Sequence, residues 1–262
     1  MRYTISYSCL SHVGKLRNNN QDNFICDGCC MPAEGEQTER PLQGVKTTKE
    51  RALFGVFDGL GGEAYGEVAS YIAAVNATDL RIGRNAPADL LRYCTKANEE
   101  ICKYAQENGN VNMGTTAAML AFTERQITLC NIGDSKVFRY YDGGLEQVSR
   151  DHVAIAAYGV KPPLSQNLGI PTSEMIIEPY VACSKYSDGE IFLLCSDGLT
   201  DMVTTDEIAS VLGQQPIQQA TETLLDKALE NGGRDNITII LCEVKKKPLF
   251  GCRDKKCMEE TE

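Results

Sequence analysis

Short apolar runs that stop abruptly at turn residues alternate along this chain with longer stretches of helical periodicity. The short runs are rich in β-branched and aromatic residues, which is typical of buried or half-buried strands. They predict strands over residues 3–7, 23–27, 53–57, 115–122, 127–132, 137–141, 191–195 and 237–244. Asp142 and Gly143 predict a tight hairpin turn after the strand at 137–141.

Four stretches predict helices instead, over residues 63–80, 87–108, 205–212 and 216–231. Apolar residues recur at helical spacing in the second of these stretches. Thr204 and Glu207 fit a capping box before the third, and Gly232 with Gly233 ends the fourth. Because strands and helices come in separate blocks, the pattern predicts an α+β fold with antiparallel sheets and outer helices.

Two segments carry neither pattern. Residues 28–50 are polar and predict a long loop, and residues 245–262 predict a solvated tail. No internal repeat and no Pro-rich or Gly/Ser-rich linker divides the remainder. We therefore expect one domain over residues 1–245 and a flexible C-terminal tail over residues 246–262.

Composition narrows the class of protein. Apolar residues make up 42% and charged residues 24% of the 262 positions, an ordinary globular balance. The formal net charge of −10 disfavours binding to nucleic acid or to an acidic membrane. The N-terminal residues lack the apolar core of a signal peptide, and no apolar run is long enough to cross a bilayer. We expect a cytoplasmic monomer.

Twelve cysteines in such a chain predict free thiols in a reducing compartment. Cys26, Cys29 and Cys30 lie close together near the start, and Cys252 and Cys257 lie near the end. Together they leave a zinc or disulfide site open as an alternative. Their spacing is not that of a zinc ribbon, which favours thiols without a metal.

Aspartates mark the ends of several apolar strands. Asp58, Asp134 and Asp197 closely follow predicted strands, and Asp235 precedes one. Any one of them alone is better explained as a turn residue, as at Asp142. Four converging carboxylates, however, repel one another unless cations separate them, and Mg²⁺ and Mn²⁺ prefer oxygen ligands of this kind. The pattern therefore indicates a site for divalent cations.

Other chemistries fit the residues less well. His12 and His152 are the only histidines, which excludes a histidine-rich zinc site. No cysteine has a recognisable nucleophile setting, and no Gly-x-x-x-x-Gly-Lys loop is present to hold a nucleotide phosphate. Carboxylate-held cations remain the chemistry that the residues favour.

Six short motifs in a fixed order carry a resemblance to a known family. They read RNNNQD at 17–22, VFDGLGG at 56–62, GTT at 114–116, NIGDS at 131–135, SDGL at 196–199 and GRDN at 233–236. Each is weak alone, but six in order are specific. The chain resembles the PPM-type metal-dependent serine/threonine protein phosphatases (protein phosphatase type 2C) in their compact bacterial form, from about residue 5 to residue 244.

The resemblance implies a four-layer α-β-β-α sandwich of two antiparallel sheets flanked by helix pairs, with metals at one end. It implies that Asp58 bridges two Mn²⁺ or Mg²⁺ ions, one of which also binds the Gly59 carbonyl. Asp197 and Asp235 would complete the other ion's site. Asp134 would help to hold a third, weaker metal beside Asp197.

The same resemblance implies hydrolysis of phosphoserine and phosphothreonine in proteins. A water shared by two cations loses a proton near neutral pH and attacks phosphorus in line. Arg17 would grip the substrate phosphate with its planar donor fork. Gln21, Asp22 and Asn236 would act through bound waters or by supporting the ligands. Leu60 stands where eukaryotic members have a histidine and bacterial members usually a methionine, so a metal-bound water would protonate the leaving oxygen.

Two other functions stay open for this fold. One is a pseudophosphatase that binds phosphoproteins as a regulatory module, and the other is a phosphatase confined to one regulatory phosphoprotein. The presence of all four aspartates favours an enzyme. Expected partners are phosphoprotein substrates, including a serine/threonine protein kinase. Residues 153–171, where the family has a mobile flap, are short and contain proline, so the resemblance implies nothing about substrate specificity.

Overall fold

The computed structural model describes residues 3–32, 37–60, 65–109, 111–124, 126–157 and 161–247. Two antiparallel sheets pack face to face, and helices cover the outer face of each. The predicted α+β class and the four-layer α-β-β-α sandwich are confirmed. Within the described ranges, no helix is long and apolar enough to span a membrane.

The first sheet is built around the two longest described strands. Its strands are β1 (Tyr3–His12), β3 (Leu42–Thr47), β7 (Lys136–Tyr141), β8 (Gly144–Gln147), β10 (Ile191–Cys195) and β11 (Ile237–Lys246). They lie in the order β3-β1-β11-β10-β7-β8. β1 and β11 pair along their whole length, from Tyr3 opposite Lys246 to His12 opposite Ile237.

The second sheet contains the remaining strands of the described chain. These are β2 (Asp22–Cys26), β4 (Leu53–Asp58), β5 (Ala117–Phe122), β6 (Ile127–Ile132) and β9 (Tyr180–Ser184), in the order β2-β4-β5-β6-β9. The two sheets bury an aromatic layer between them: the Phe122 ring packs edge-on against Phe54 at 6.0 Å and against Phe192 at 5.7 Å.

The helices are α1 (Gly66–Thr78), α2 (Ala86–Glu107), α3 (Asp197–Thr200), α4 (Thr205–Gln214) and α5 (Ile217–Glu230). α1 and α2 cover the second sheet, and α1 approaches it through a row of buried alanines. α4 and α5 cover the first sheet. The capping box before α4 is confirmed, because the Glu207 amide donates to the Thr204 hydroxyl while the Glu207 carboxylate accepts from the Thr204 amide.

Three elements differ from the sequence-based prediction. The predicted loop over 28–50 was wrong in part, because β3 lies within it and pairs with β1 at the edge of the first sheet. An edge strand leaves many side chains in water, such as Val45 at 63% exposure, so its polar composition resembled a loop. β9 and the short α3 were not predicted at all.

β11, the last strand of the described chain, ends at Lys246. The expected domain limit at residue 245 stays a prediction. Residues 248–262 lie outside the described residues, and they contain nearly all of the predicted tail together with Cys252 and Cys257. The prediction of a flexible tail therefore stays a prediction.

Candidate metal centre

Both sheets bring aspartates to the same end of the sandwich. In the second sheet, Asp22 begins β2 and lies directly opposite Asp58, the last residue of β4. Asp134 follows β6 after one glycine. In the first sheet, Asp197 starts α3 just after β10, and Asp235 lies just before β11. The five carboxylates thus come from five separate strand ends.

Asp22 is the most deeply buried member of this carboxylate cluster, with 2% of its surface exposed. Its Oδ2 accepts hydrogen bonds from the hydroxyls of Ser196 and Thr238, both at 2.7 Å. Its buried Oδ1 has no hydrogen-bond partner among the described residues. Burial raises the pKa of Asp22 to about 7, although the two hydroxyls oppose this change.

Asp58 lies at the centre of the electrostatic interactions. Its amide donates to the Thr116 hydroxyl at 3.0 Å, and its carbonyl accepts from the Thr115 hydroxyl at 2.9 Å, which fixes the backbone where β4 ends. Burial raises the pKa of the Asp58 carboxyl well above its ordinary value. The charges of four neighbours add to this effect: Asp22, Asp197, Asp134 and Asp235. The five carboxylates therefore lie within electrostatic reach of one another.

Two cationic side chains reach the cluster. Arg17 donates to Asp235 Oδ2 at 2.8 Å, and both side chains are partly exposed. Lys161 contacts Asp197 Oδ2 and also Asp201 Oδ2, the latter at 3.0 Å. Arg17 was among the predicted site residues, whereas Lys161 and Asp201 were not. An isolated lysine in a predicted flap carries no local sequence signal for such a contact.

Gln21 and Asn236 hold the loop that carries Arg17. Asn236 Oδ1 accepts from the Gln21 amide at 2.8 Å, and its Nδ2 donates to the carbonyls of Val13 and Asn19 at 2.9 Å each. Gln21 directs its side chain to Glu67 at the start of α1, at 3.2 Å. The side-chain oxygen and nitrogen of Asn236 both bond to backbone groups of residues 13–21. Asn236 therefore fixes the conformation of this segment.

Two glycines allow the backbone segments at this end to approach closely. A Cβ on Gly59 would lie 2.3 Å from the Gly66 carbonyl oxygen, and a Cβ on Gly198 would lie 2.0 Å from the Asn236 carbonyl oxygen. No larger residue fits at either position without moving the backbone. The Gly59 carbonyl accepts no hydrogen bond from the described residues, so its oxygen is available to a ligand.

The donor set suits a hard divalent cation. It consists of carboxylate oxygens and one backbone carbonyl, with an unpartnered carboxylate oxygen buried beside them. As they stand, no three His, Cys, Asp or Glu side chains of the described chain converge closely enough to hold an ion. Asp197 and Asp235 pair instead with Lys161 and Arg17. The chemistry of the donor atoms fits a site for hard cations.

The structure describes only part of the alternative site formed by cysteines. Cys26 and Cys29 bond to each other through their backbones, at 2.9 and 3.0 Å, and the ten cysteines of the described residues are free thiols. Those residues contain no cluster of three metal-binding side chains around Cys26, Cys29 and Cys30. A site that also used Cys252 and Cys257 would involve positions outside the described residues.

Comparisons with known proteins point to one family. A family model described as protein phosphatase 2C matches residues 41–232. Serine/threonine protein phosphatase PstP of Mycobacterium tuberculosis is 28% identical over 254 residues, which cover 92% of this chain and 45% of PstP. The chain thus spans less than half the length of that relative. Serine/threonine phosphatase stp of Listeria monocytogenes is 27% identical over 254 residues, covering 88% of this chain and 92% of stp.

A solved structure agrees with these sequence matches. The crystal structure of the catalytic domain of PstP, in complex with two manganese ions, has a TM-score of 0.75 with this chain. The sequence identity is 25%, and the alignment covers 93% of this chain and 100% of that domain.

Proposed function

The chain belongs to the protein phosphatase 2C family, and from that premise we propose that it hydrolyses phosphoserine and phosphothreonine esters on proteins with the help of two divalent cations. The observation that carries this proposal is that Asp58, Asp197 and Asp235 lie at the same end of the two sheets, with Asp22 buried beside them and Arg17 at the rim. The manganese ions bound by the catalytic domain of PstP support a dinuclear site.

In this proposal each aspartate has a distinct task. Asp58 and the Gly59 carbonyl hold one cation, and Asp58 with Asp197 and Asp235 holds the other. The bound cations supply a water of lowered pKa and positive charge for the phosphoryl oxygens. Asp22 lies too deep to reach substrate, so it supports the site through Ser196 and Thr238.

Arg17 binds the phosphate in this scheme. Its guanidinium is 38% exposed and lies at the rim of the cluster, held at one nitrogen by Asp235. The remaining donors of the fork are free to meet phosphate oxygens. Asn236 and Gln21 keep Arg17 in position, because their hydrogen bonds fix the loop before β2.

The leaving oxygen needs a proton that Leu60 cannot give. Leu60 donates its amide to the Gly114 carbonyl, and its side chain is apolar. Asp134 and Asp197 would hold a third, weaker cation, which would supply the acidity that Leu60 lacks. Both metals of the core are Mn²⁺ or Mg²⁺ in this proposal, since each accepts an oxygen shell.

The proposal extends to partners and setting. The substrates are phosphoproteins, including a serine/threonine protein kinase, and the catalytic unit is a monomer formed by residues 1–245. Free thiols at the ten described cysteines support the cytoplasm as its compartment.

One assay tests the reaction. The full chain is incubated with a phosphothreonine peptide in Mn²⁺, in Mg²⁺ or in EDTA, and released phosphate is measured. We expect release with either metal and none with EDTA. A chain that binds the phosphopeptide without releasing phosphate in any of the three conditions would instead be a phosphoprotein-binding module.

A further inference from the structure

Lys161 lies close in sequence to two short arms of the chain that pair with each other. The Ala154 amide donates to the Pro163 carbonyl at 2.9 Å, and the Ser165 amide donates to the His152 carbonyl at 2.8 Å. Val153 and Leu164 also form an isolated β-bridge between the two arms. These contacts pair residues 152–154 with residues 163–165. Lys161 lies two residues before Pro163, next to the second of these two arms.

The Lys161 ammonium is held by two carboxylates. It contacts Oδ2 of Asp197, whose side chain is 14% exposed, and lies 3.0 Å from Oδ2 of Asp201. An ammonium that contacts two carboxylates in this way stays charged.

The same ammonium acts on Asp134. Asp134 experiences the charge of Lys161 as well as that of Lys136. Lys161 therefore lies within electrostatic reach of Asp134 while it contacts Asp197 directly. These are the two aspartates to which the proposed function assigns the third, weaker cation.

We propose that the Lys161 ammonium occupies the position of the third cation beside Asp134 and Asp197. A third metal ion then binds there only by displacing the Lys161 side chain. This inference rests on the proposed function, because it takes Asp134 and Asp197 as the ligands of that cation. A divalent ion with two carboxylate ligands keeps most of its waters and binds weakly. A tethered ammonium has a high effective concentration and competes well against such an ion.

The consequence concerns catalysis at low metal concentration. With Lys161 in place, one positive charge stays beside the dinuclear core whether or not a third ion is available. Lys161 contacts Asp197 through Oδ2. This leaves Oδ1 of the same carboxylate for the core pair, so the lysine and two core metals are compatible. Turnover should then saturate when two metals are bound.

Metal binding itself tests the proposal. Mn²⁺ is titrated into the full chain, and free Mn²⁺ is followed by electron paramagnetic resonance, which gives the number and affinity of sites without an activity assay. The variants are Lys161→Met, which keeps the length and removes the charge, and Lys161→Arg, which keeps the charge. Lys136→Met is the matched control, because Lys136 also acts on Asp134 but pairs with Asp151 at 2.6 Å instead of Asp197.

We expect two tight Mn²⁺ sites in every protein and a third, weak site whose affinity rises about tenfold in Lys161→Met alone. An unchanged third site in Lys161→Met would overturn the proposal while leaving the dinuclear function intact. Equal tightening in Lys136→Met would also overturn it, because a general field effect would then explain the result. Failure of the wild type to bind two Mn²⁺ would instead refute the proposed function.

Discussion

Replacing Asp22 with asparagine should stabilise the chelated protein at neutral pH, although Asp22 belongs to the carboxylate cluster. An amide keeps one oxygen as acceptor for the Ser196 and Thr238 hydroxyls, which now donate to Oδ2. The other side-chain oxygen, Oδ1, has no partner among the described residues. In the variant an N–H group takes its place and can donate towards the neighbouring carboxylates. The substitution thus removes a buried charge without leaving the hydroxyls unpaired.

The size of this effect follows from the pKa of Asp22. Burial, with the charges of Asp197 and Asp235, raises the pKa from 3.8 to about 7 in the folded chain. The folded chain therefore binds the proton more tightly than the unfolded chain, and stability falls as pH rises from about 4 to about 7. A difference of about three between the pKa values corresponds to about 4 kcal/mol as a ceiling. For a chain of this size that is a change of about 10 °C in Tm.

Thermal unfolding followed by circular dichroism measures this effect. With EDTA at pH 8, the Tm of Asp22→Asn should lie about 10 °C above that of the wild type. At pH 5 the difference in Tm should be less than half as large. With saturating Mn²⁺ the advantage should disappear, because bound cations stabilise the carboxylate. Asp226→Asn, which changes an exposed residue of α5, is the control and should shift neither curve. An Asp22→Asn variant that melts below the wild type at pH 8 in EDTA would refute the reasoning.

Three further outcomes are expected. Asp58→Asn should reduce phosphate release from a phosphothreonine peptide at least a thousandfold at saturating Mn²⁺, whereas Asp142→Asn in the hairpin turn should leave it unchanged. Arg17→Ala should raise KM for the phosphopeptide about tenfold or more while calorimetry finds Mn²⁺ affinity no weaker, since Arg17 competes for Asp235. Gly198→Ala should cost about 1–3 kcal/mol in urea unfolding and also weaken Mn²⁺ binding, because its Cβ would push the Asn236 backbone beside Asp235.

The position of the acidic site was predictable because each aspartate follows or precedes a run of strand-forming residues. Asp58 and Asp197 end the buried segments that became β4 and β10, and Asp235 leads into β11. Antiparallel neighbours alternate in direction, so strand ends and strand starts meet at the same edge of a sheet. That argument uses only local pattern and general geometry. The individual roles of these residues came from the resemblance and stay proposals.

The ion pairs that the sequence did not predict are tertiary contacts, which leave no local signal in the sequence. Lys161 and Asp197 are 36 positions apart and meet only in the folded chain, where Lys161 contacts the first residue of α3. Arg17 and Asp235 are 218 positions apart, and their pairing depends on the hydrogen bonds by which Asn236 fixes residues 13–21. β3 was missed for a different reason, because an edge strand needs apolar residues on one face only.

The ion pairs of the carboxylate cluster indicate where divalent cations bind most tightly. Arg17 and Lys161 neutralise Asp235 and Asp197 from the rim, and their side chains are 38% and 54% exposed. The Arg17–Asp235 pair is partly exposed on both sides and contributes about 0–1 kcal/mol, so a substrate phosphate can displace Arg17 at little cost, whereas Lys161 pairs with Asp197, whose side chain is only 14% exposed. Asp58 forms no ion pair within the described ranges, although burial and four carboxylates act against its charge. We therefore expect the greatest gain from a divalent cation at Asp58, the residue to which the proposed function assigns both cations.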